Sequence, residues 1–409
     1  MLRAAGFEAY WAGGCVRDTL MGRRPKDFDV ATGATPPAIR KVFARRKTLE
    51  IGAAFGVVAV VGPRSAGTVE VTTFRHDAPY SDGRHPDAVT FSNAQEDAQR
   101  RDFTINGLFY DPLEADEDRR VIDYVGGVDD LARRVVRAIG DARARFAEDK
   151  LRLLRAVRFA STFEFALDGA TEAAMRELAG QVTKVSPERI AQELRLLLVD
   201  AGRARGVELL RETCLLAAVF PEAAALSEAE WRRTRAVLGN LRVPSFALAL
   251  AALVRGVAEH ATAKEGRGGV VEALGRRWKL SNDERERARW LVEHDAALAE
   301  ARTLPWSRLQ PLVIRDGFEE LVALHEADAI AAGRDLAEVA HCRALIERPQ
   351  AELDPPPLLT GDDLIGHGVP RGKIFKELLE LVRTEQLDGA VSTRQEALEL
   401  VDRRLAQGR

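Results

Sequence analysis

Asp27-Phe28-Asp29 places two carboxylates two residues apart at the entry to Phe28-Asp29-Val30-Ala31-Thr32, a run that reads as a short strand. On a strand, residues i and i+2 share a face, with Cα atoms about 6.6 Å apart at a rise of about 3.3 Å per residue. Carboxylates so spaced can share Mg²⁺, a hard cation commonly held by one or two carboxylates plus substrate phosphates. D-x-D alone is usually a solvent-facing turn, but here Gly13-Gly14-Cys15-Val16-Arg17-Asp18 precedes it. Glycines let the backbone approach a phosphate closely, and amides at a helix start favour anions. Arg17 on the first turn can add a charge-assisted contact. Glu70, in Val69-Glu70-Val71-Thr72-Thr73, is either a third metal-site carboxylate or an exposed position on an alternating strand. Two metal ions beside a triphosphate would divide the labour of a displacement. One lowers the pKa of the attacking hydroxyl and the other stabilises the leaving pyrophosphate.

These residues need a sheet to hold them, and the sequence supplies one. Phe7 to Trp11 reads as a strand ending at the glycine turn, Val16 to Leu20 as a helix, and Pro36-Pro37 as the opening of another. Phe55 to Val61 and Thr68 to Phe74 read as a hairpin, and residues 75–92 as a long loop. After about residue 128 nearly everything carries the 3.6-residue period of helices, with stripes at 187–199, 203–218, 228–239, 270–301 and 318–333. Asp354-Pro355-Pro356-Pro357 reads as a stiff linker before a last helical module at 361–407.

The 409 residues, 46% apolar and 30% charged, suit a soluble protein of several domains. The net charge of −3 excludes global attraction to nucleic acid, so any RNA site must be a local patch. Residues 131–158 offer one, with nine Arg or Lys against three Asp or Glu. The three cysteines, Cys15, Cys214 and Cys342, have no metal-ligand spacing and the seven histidines no clustered pattern, so no zinc is expected. The longest apolar run, Phe246 to Val254, is too short to span a bilayer, and the N-terminus shows no signal-peptide pattern. A cytoplasmic protein with no membrane partner is expected.

Five segments, in order, resemble the motifs of class II CCA-adding enzymes and bacterial poly(A) polymerases. Gly13-Gly14-x-Val16-Arg17-Asp18 with Asp27-x-Asp29 is similar to the first, and Arg100-Arg101-Asp102-Phe103-Thr104-Ile105-Asn106 to the second. Asp123-Tyr124-Val125-Gly126-Gly127 with Asp130, Leu131 and Arg137 resembles the third. Glu148-Asp149-x-x-Arg152-x-x-Arg155-x-x-Arg158 resembles the fourth, and Pro187-Glu188-Arg189-Ile190 with Glu193-Leu194 the fifth. Leu358 to Leu364 resembles the family's C-terminal module. The resemblance implies an α+β fold: a polymerase-β-like nucleotidyltransferase head of mixed sheet (1–128), then an all-helical neck (129–200), body (201–350) and tail (351–409). It implies template-independent addition of C, C and A to the tRNA 3′ end from CTP and ATP with two Mg²⁺. A poly(A) polymerase, a partial CC- or A-adding enzyme, and an RNA-binding protein with an inactive head remain alternatives.

By the same resemblance, Arg101 and Asp102 contact the sugar hydroxyls and Asn106 braces their loop. Asp149 and Arg152, three apart on a predicted helix, would share a face and read a Watson–Crick edge. Cytosine and adenine both present an amino donor beside a ring-nitrogen acceptor, which an Asp acceptor and an Arg donor match. Uracil and guanine present the reverse. Arg155 and Arg158 would meet phosphates. The loop with Arg75, Asp77, Tyr80, Asp82, Arg84 and Pro86 resembles the flexible loop needed for terminal A addition. Two departures stand out: the segment before the first strand is short, and Arg255-Gly256 stands where some relatives carry the His-Asp of a metal phosphohydrolase.

Overall fold

The computed structural model describes residues 1–44, 46–52, 56–62, 67–77, 89–264, 266–370 and 372–407. The chain forms two compact units, Met1–Ser227 with Leu274–Leu280, and Glu228–Ala273 with Ser281–Arg409. The expected head and neck therefore share one unit.

In the first unit the expected strands form. β1 (Ala9–Ala12), β2 (Val30–Thr32), β3 (Thr48–Gly52), β4 (Val57–Val61) and β5 (Thr68–Thr73) join two short strands of a seven-stranded sheet. β6 (Arg75–Asp77) and β7 (Val89–Phe91) pair with each other outside it. β8 (Phe109–Tyr110) and β9 (Val121–Ile122) complete the order β3-β4-β5-β2-β1-β8-β9. The sheet is mixed, because β2 and β5 run parallel while the other pairs are antiparallel. β3 is an addition to the strands expected from sequence. The hairpin of β4 and β5 is as expected. The long loop at 75–92 is in part strand, and its positions 80, 82, 84, 85 and 86 lie outside the described residues.

One sheet face is sealed by α2 (Pro36–Val42), where Ala34, Ile39, Val58, Val60 and Val71 pack together. The helix α1 (Gly14–Leu20) buries Cys15 and Val16 against Leu108, so Cys15 is a packing residue. The sheet then hands over to helices: α3 (Ala94–Gln99), α4 (Gly127–Arg133), α5 (Ala142–Glu148), α6 (Leu151–Phe163), α7 (Gly169–Leu178), α8 (Pro187–Val199), α9 (Arg203–Glu212), α10 (Leu215–Val219) and α11 (Pro221–Ala224). Between them, β10 (Val135–Val136) and β11 (Ala166–Leu167) make a small parallel pair.

The junction of sheet and helices is stitched by buried polar bonds. The Thr104 hydroxyl donates to Asp130 (2.7 Å), and Arg137 bridges Asp130 (3.0 Å) and Asp168 (2.5 Å). The Thr104 amide donates to the Arg137 carbonyl, and the Ile139 amide to that of Asp102. Here the glycine pair of the third motif has its reason. Gly126 adopts φ +78° to start α4, and a Cβ on Gly127 would lie 2.2 Å from the Thr104 carbonyl oxygen.

The second unit is helical: α12 (Glu228–Asn240), α13 (Phe246–Ala258), the start of α14 (Gly269–Arg277), α15 (Asn282–His294), α16 (Trp306–Val313), α17 (Phe318–Ala331), α18 (Ala337–Ile346) and α19 (Gln350–Leu353). Three tail helices follow, α20 (Gly361–Gly366), α21 (Ile374–Leu387) and α22 (Arg394–Gln407), around Leu364, Leu378 and Val401. The stripe at 270–301 is broken because Ser281 caps α15 with a reciprocal Glu284 box. Trp231 and Trp290 are core. Arg255 explains the missing His-Asp pair: its guanidinium pairs with both Asp295 and Asp328, which Arg233, Arg267 and Arg334 also neutralise. Guanidinium groups hold those buried carboxylates. The rest of α14 returns to the first unit, where Trp278 donates to the Val219 carbonyl (3.2 Å) and meets Phe220 edge-on. The linker at Asp354-Pro355 is tied down by Arg383.

Gly127→Ala should cost at least about 3 kcal/mol, because backbone meets backbone at the new methyl. Gly126→Ala, in open space, should cost only the left-handed strain of roughly 1–2 kcal/mol. Urea unfolding of both variants checks the order; equal losses would contradict it.

Candidate active site

Nearly every site residue expected from sequence lines one cleft of about 720 Å³ in the first unit. Gly13, Gly14, Arg17, Asp27, Asp29, Arg101, Asp102, Asn106, Asp149, Arg152, Arg155 and Arg158 are all on its wall. Glu70 is in an adjoining pocket that shares Asp29, Arg100 and Arg101 with it. The cleft wall carries eight basic side chains against four acidic ones, although the whole chain is negative. Such a concentration of one sign focuses the field on an anionic ligand.

Asp27 and Asp29 precede β2 rather than lying on it, since the strand begins at Val30. The sheet still fixes Asp29, because the Ala12 amide donates to its carbonyl oxygen (3.0 Å). Burial, with Asp27 and Glu70 adding their charge, pushes the Asp29 carboxyl up to about 6. A divalent cation would relieve that repulsion. Glu70 is exposed on β5, opposite Ala59. Among the described residues no three Asp, Glu, His or Cys side chains form a metal cage. Two carboxylates with the remaining oxygens from substrate and water fit Mg²⁺ chemistry.

The glycine turn is set by contact as much as by conformation. Gly13 has φ +73°, and a Cβ there would stand 2.8 Å from Arg101 Nη1. Arg101 is itself aimed by Asp97, which accepts from Arg100 (2.7 Å) and from Arg101 (3.0 Å). Asp97 is fully buried; burial opposes its ionised form, but the two guanidiniums prevail and lower its pKa. Nothing in the sequence singled out Asp97, which is one acid in an ordinary polar helix.

Asp102, expected to contact the sugar hydroxyls, is engaged by protein donors on both carboxylate oxygens. Its Oδ1 accepts from the Phe103 amide (2.8 Å) and Asn106 Nδ2 (3.0 Å), and its Oδ2 from Arg155 Nε (2.8 Å) and Nη2 (2.6 Å). A carboxylate has about four lone-pair sites, and four protein N–H groups point at this one. Asp102 orients Arg155 and Asn106, and Asn106 accepts from Arg17 Nη1 (2.6 Å). Burial alone would raise the Asp102 carboxyl, but Arg155 and Asn106 hold it at about 2.

The fourth motif also differs from its expected form. Asp149 is not on the helix with Arg152; it sits in extended backbone between α5 and α6. Asp149 accepts from the Leu151 amide (3.0 Å) and from Arg189 of α8 (2.8 Å), while Arg152 pairs with Glu148 (2.5 Å) and donates to the Arg100 carbonyl (3.2 Å). The two do not pair with each other, yet both face the cleft. Asp149 Oδ2 keeps a lone pair and Arg152 keeps Nε–H, among the described residues. Arg155 and Arg158 both approach Glu193 of α8 (3.8 and 2.6 Å). Arg189 and Glu193 of the fifth motif thus gain a role: the arginine ladder of α6 needs counter-charges from a packed neighbour, and α8 is that neighbour.

The sequence and the fold both match known proteins. Residues 9–137 match the poly(A) polymerase head domain, and residues 164–226 match the probable RNA and SrmB-binding site of polymerase A. The CCA-adding enzyme of Geobacillus sp. (strain WCH70) is 32% identical over 422 residues, spanning 100% of this chain and 96% of that protein. The crystal structure of the Bacillus stearothermophilus CCA-adding enzyme in complex with CTP has a TM-score of 0.77 at 29% identity, covering 100% of this chain and 96% of that one. The Thermotoga maritima CCA-adding enzyme complexed with tRNA shares the fold at a TM-score of 0.68 and 21% identity, covering 98% and 92%.

Asp102 makes stability pH-dependent. Its folded pKa is depressed, so its contribution is complete above the unfolded value near 4 and is lost as pH falls toward about 2. That contribution is roughly 2 kcal/mol. Asp102→Asn should be less stable at neutral pH and should show a shallower loss between pH 4 and 2. Parallel acid-unfolding curves for the two proteins would refute the assignment.

Proposed function

The chain belongs to the CCA-adding enzyme family, and from that premise we infer that the basic cleft is where C, C and A are joined to the tRNA 3′ end from CTP and ATP. The observation that carries this reading is the convergence, in one cleft, of a charge-frustrated carboxylate pair, an arginine ladder and an acceptor–donor edge. Asp27 and Asp29 would hold divalent cations, for which we propose two Mg²⁺; one would acidify the primer hydroxyl and the other would neutralise charge at the departing pyrophosphate. Glu70, beside Asp29, tunes that pair's charge from the adjoining pocket.

The chain's own residues do the rest. The Gly13-Gly14 turn admits the triphosphate close to backbone, and Arg17 braces Asn106 beneath it. Arg101, aimed by Asp97, is the group available to the sugar, with Asp102 fixing the loop from behind. Asp149 accepts the amino hydrogen of cytosine or adenine while Arg152 donates to the neighbouring ring nitrogen. Arg189 and Glu148 keep both groups from turning away. Because uracil and guanine invert that donor–acceptor order, they would leave two buried polar groups unpaired, a loss that gives strong discrimination. Arg155 and Arg158 add positive charge along the phosphate path. Among the described residues no helix is long and apolar enough to cross a membrane, and a tRNA substrate fits a cytoplasmic site of action.

With tRNA lacking its terminal trinucleotide, three additions that require both CTP and ATP are expected. A long ladder from ATP alone would indicate a poly(A) polymerase, and a stop after two Cs a partial enzyme. Replacing Asp27 and Asp29 by Asn should cut incorporation at least about a hundredfold. In Asp149→Ala, preference for CTP and ATP over UTP and GTP should fall at least about tenfold. Intact preference in that variant would remove the base-reading role.

A further inference from the structure

Phe159, on α6 at the wall of the cleft, touches three of the sequence motifs with one ring. Its edge meets Phe103 of the second motif, with centroids 5.8 Å apart and planes at 81°. The Arg17 guanidinium of the first motif lies 5.3 Å from its centroid. Arg155 and Arg158 of the fourth lie at 5.2 and 4.3 Å. Phe163, one turn on and stacked almost parallel at 5.9 Å, takes Arg17 at 4.4 Å and Arg23 at 5.1 Å.

Each guanidinium around Phe159 is held twice. Its N–H edge goes to a protein acceptor: Arg17 to Asp18 and Asn106, Arg155 to Asp102, and Arg158 to Glu193. The ring constrains its plane. A carboxylate alone leaves a planar cation free to swing about the bond axis; an aromatic face removes that freedom. The negative ring face also offsets the repulsion among three clustered cations. Core packing alone would call for aliphatic neighbours, whereas this ring is only 6% exposed and yet is surrounded by charge.

We propose that Phe159 is a positioning residue for nucleotide binding, its ring setting the planes of Arg17, Arg155 and Arg158 so that they meet the incoming nucleotide as one rigid array. This rests on reading the cleft as the nucleotide site. The test compares full-length Phe159→Leu, Phe159→Met and Phe159→Tyr with the unaltered chain, using steady-state addition of CMP and AMP to tRNA together with thermal unfolding. Leu and Met keep apolar bulk without a π face; Tyr keeps the face. In Leu and Met, KM for CTP and ATP should rise about tenfold, as loss of several cation–π contacts implies. KM for tRNA should stay within about twofold, and Tyr should restore the nucleotide KM. A folded Leu or Met variant with unchanged nucleotide KM overturns the proposal. So does an equal rise in the KM for tRNA, a Tyr variant as impaired as Leu, or failure of both Leu and Met to fold, which would make the ring ordinary core. If the unaltered chain itself added neither nucleotide, the reading of the cleft would fail instead.

Discussion

One buried carboxylate constrains the catalytic unit more than any other group. Asp102 lies where sheet and helices meet, and every lone pair on it is used. Through Asn106 it reaches Arg17 on the helix after the glycine turn, and through Arg155 it reaches α6. Its carbonyl oxygen takes the amide of Ile139 on the following segment. An isolated buried charge is expensive, so the native arrangement is the one in which all of these donors arrive together. The geometry of the cleft follows from satisfying this acid.

The same logic governs the rest of the cleft. Arginines outnumber acids there, and most are pinned by a specific carboxylate: Asp97 for Arg100 and Arg101, Glu148 for Arg152, Glu193 for Arg158. Pinned guanidiniums lose little freedom when an anion arrives, so binding energy goes into the ligand. At Asp27 and Asp29 the imbalance has the opposite sign, and burial beside like charge makes the ionised form of Asp29 costly, raising its carboxyl to about 6. The cleft thus offers a nearly cation-saturated wall opposite a cation-hungry corner, which is the charge pattern of a metal-bound triphosphate.

Much of this was legible in the sequence, for identifiable reasons. Glycine turns, D-x-D spacing and an Arg at every third position are local patterns, and they found the cleft wall almost completely. What escaped were partners supplied from a distance. Asp97 and Glu193 look like ordinary helical acids until α3 and α8 pack beside the arginines they hold. Asp149 seemed to continue a helix because its spacing to Arg152 was right; an extended residue at 149 breaks that helix. The donors that surround Asp102, Phe103 N–H, Asn106 and Arg155, were likewise not legible as its partners, because Arg155 reaches it from another element. The third motif's glycines carried no chemistry in the sequence. Gly126 supplies a left-handed turn, and Gly127 answers to the Thr104 carbonyl, which lies more than twenty residues away.

The return of Leu274–Leu280 to the first unit has a bearing on how the protein could be cut. Trp278 fills a place against Phe220 and Val219 that no residue before Ser227 supplies. A fragment ending at Ser227 would hold every group of the cleft and still leave an aromatic-sized void in its own foundation. The first compact unit is therefore discontinuous in sequence, and cutting away that short segment would strip Trp278 from its place against Phe220.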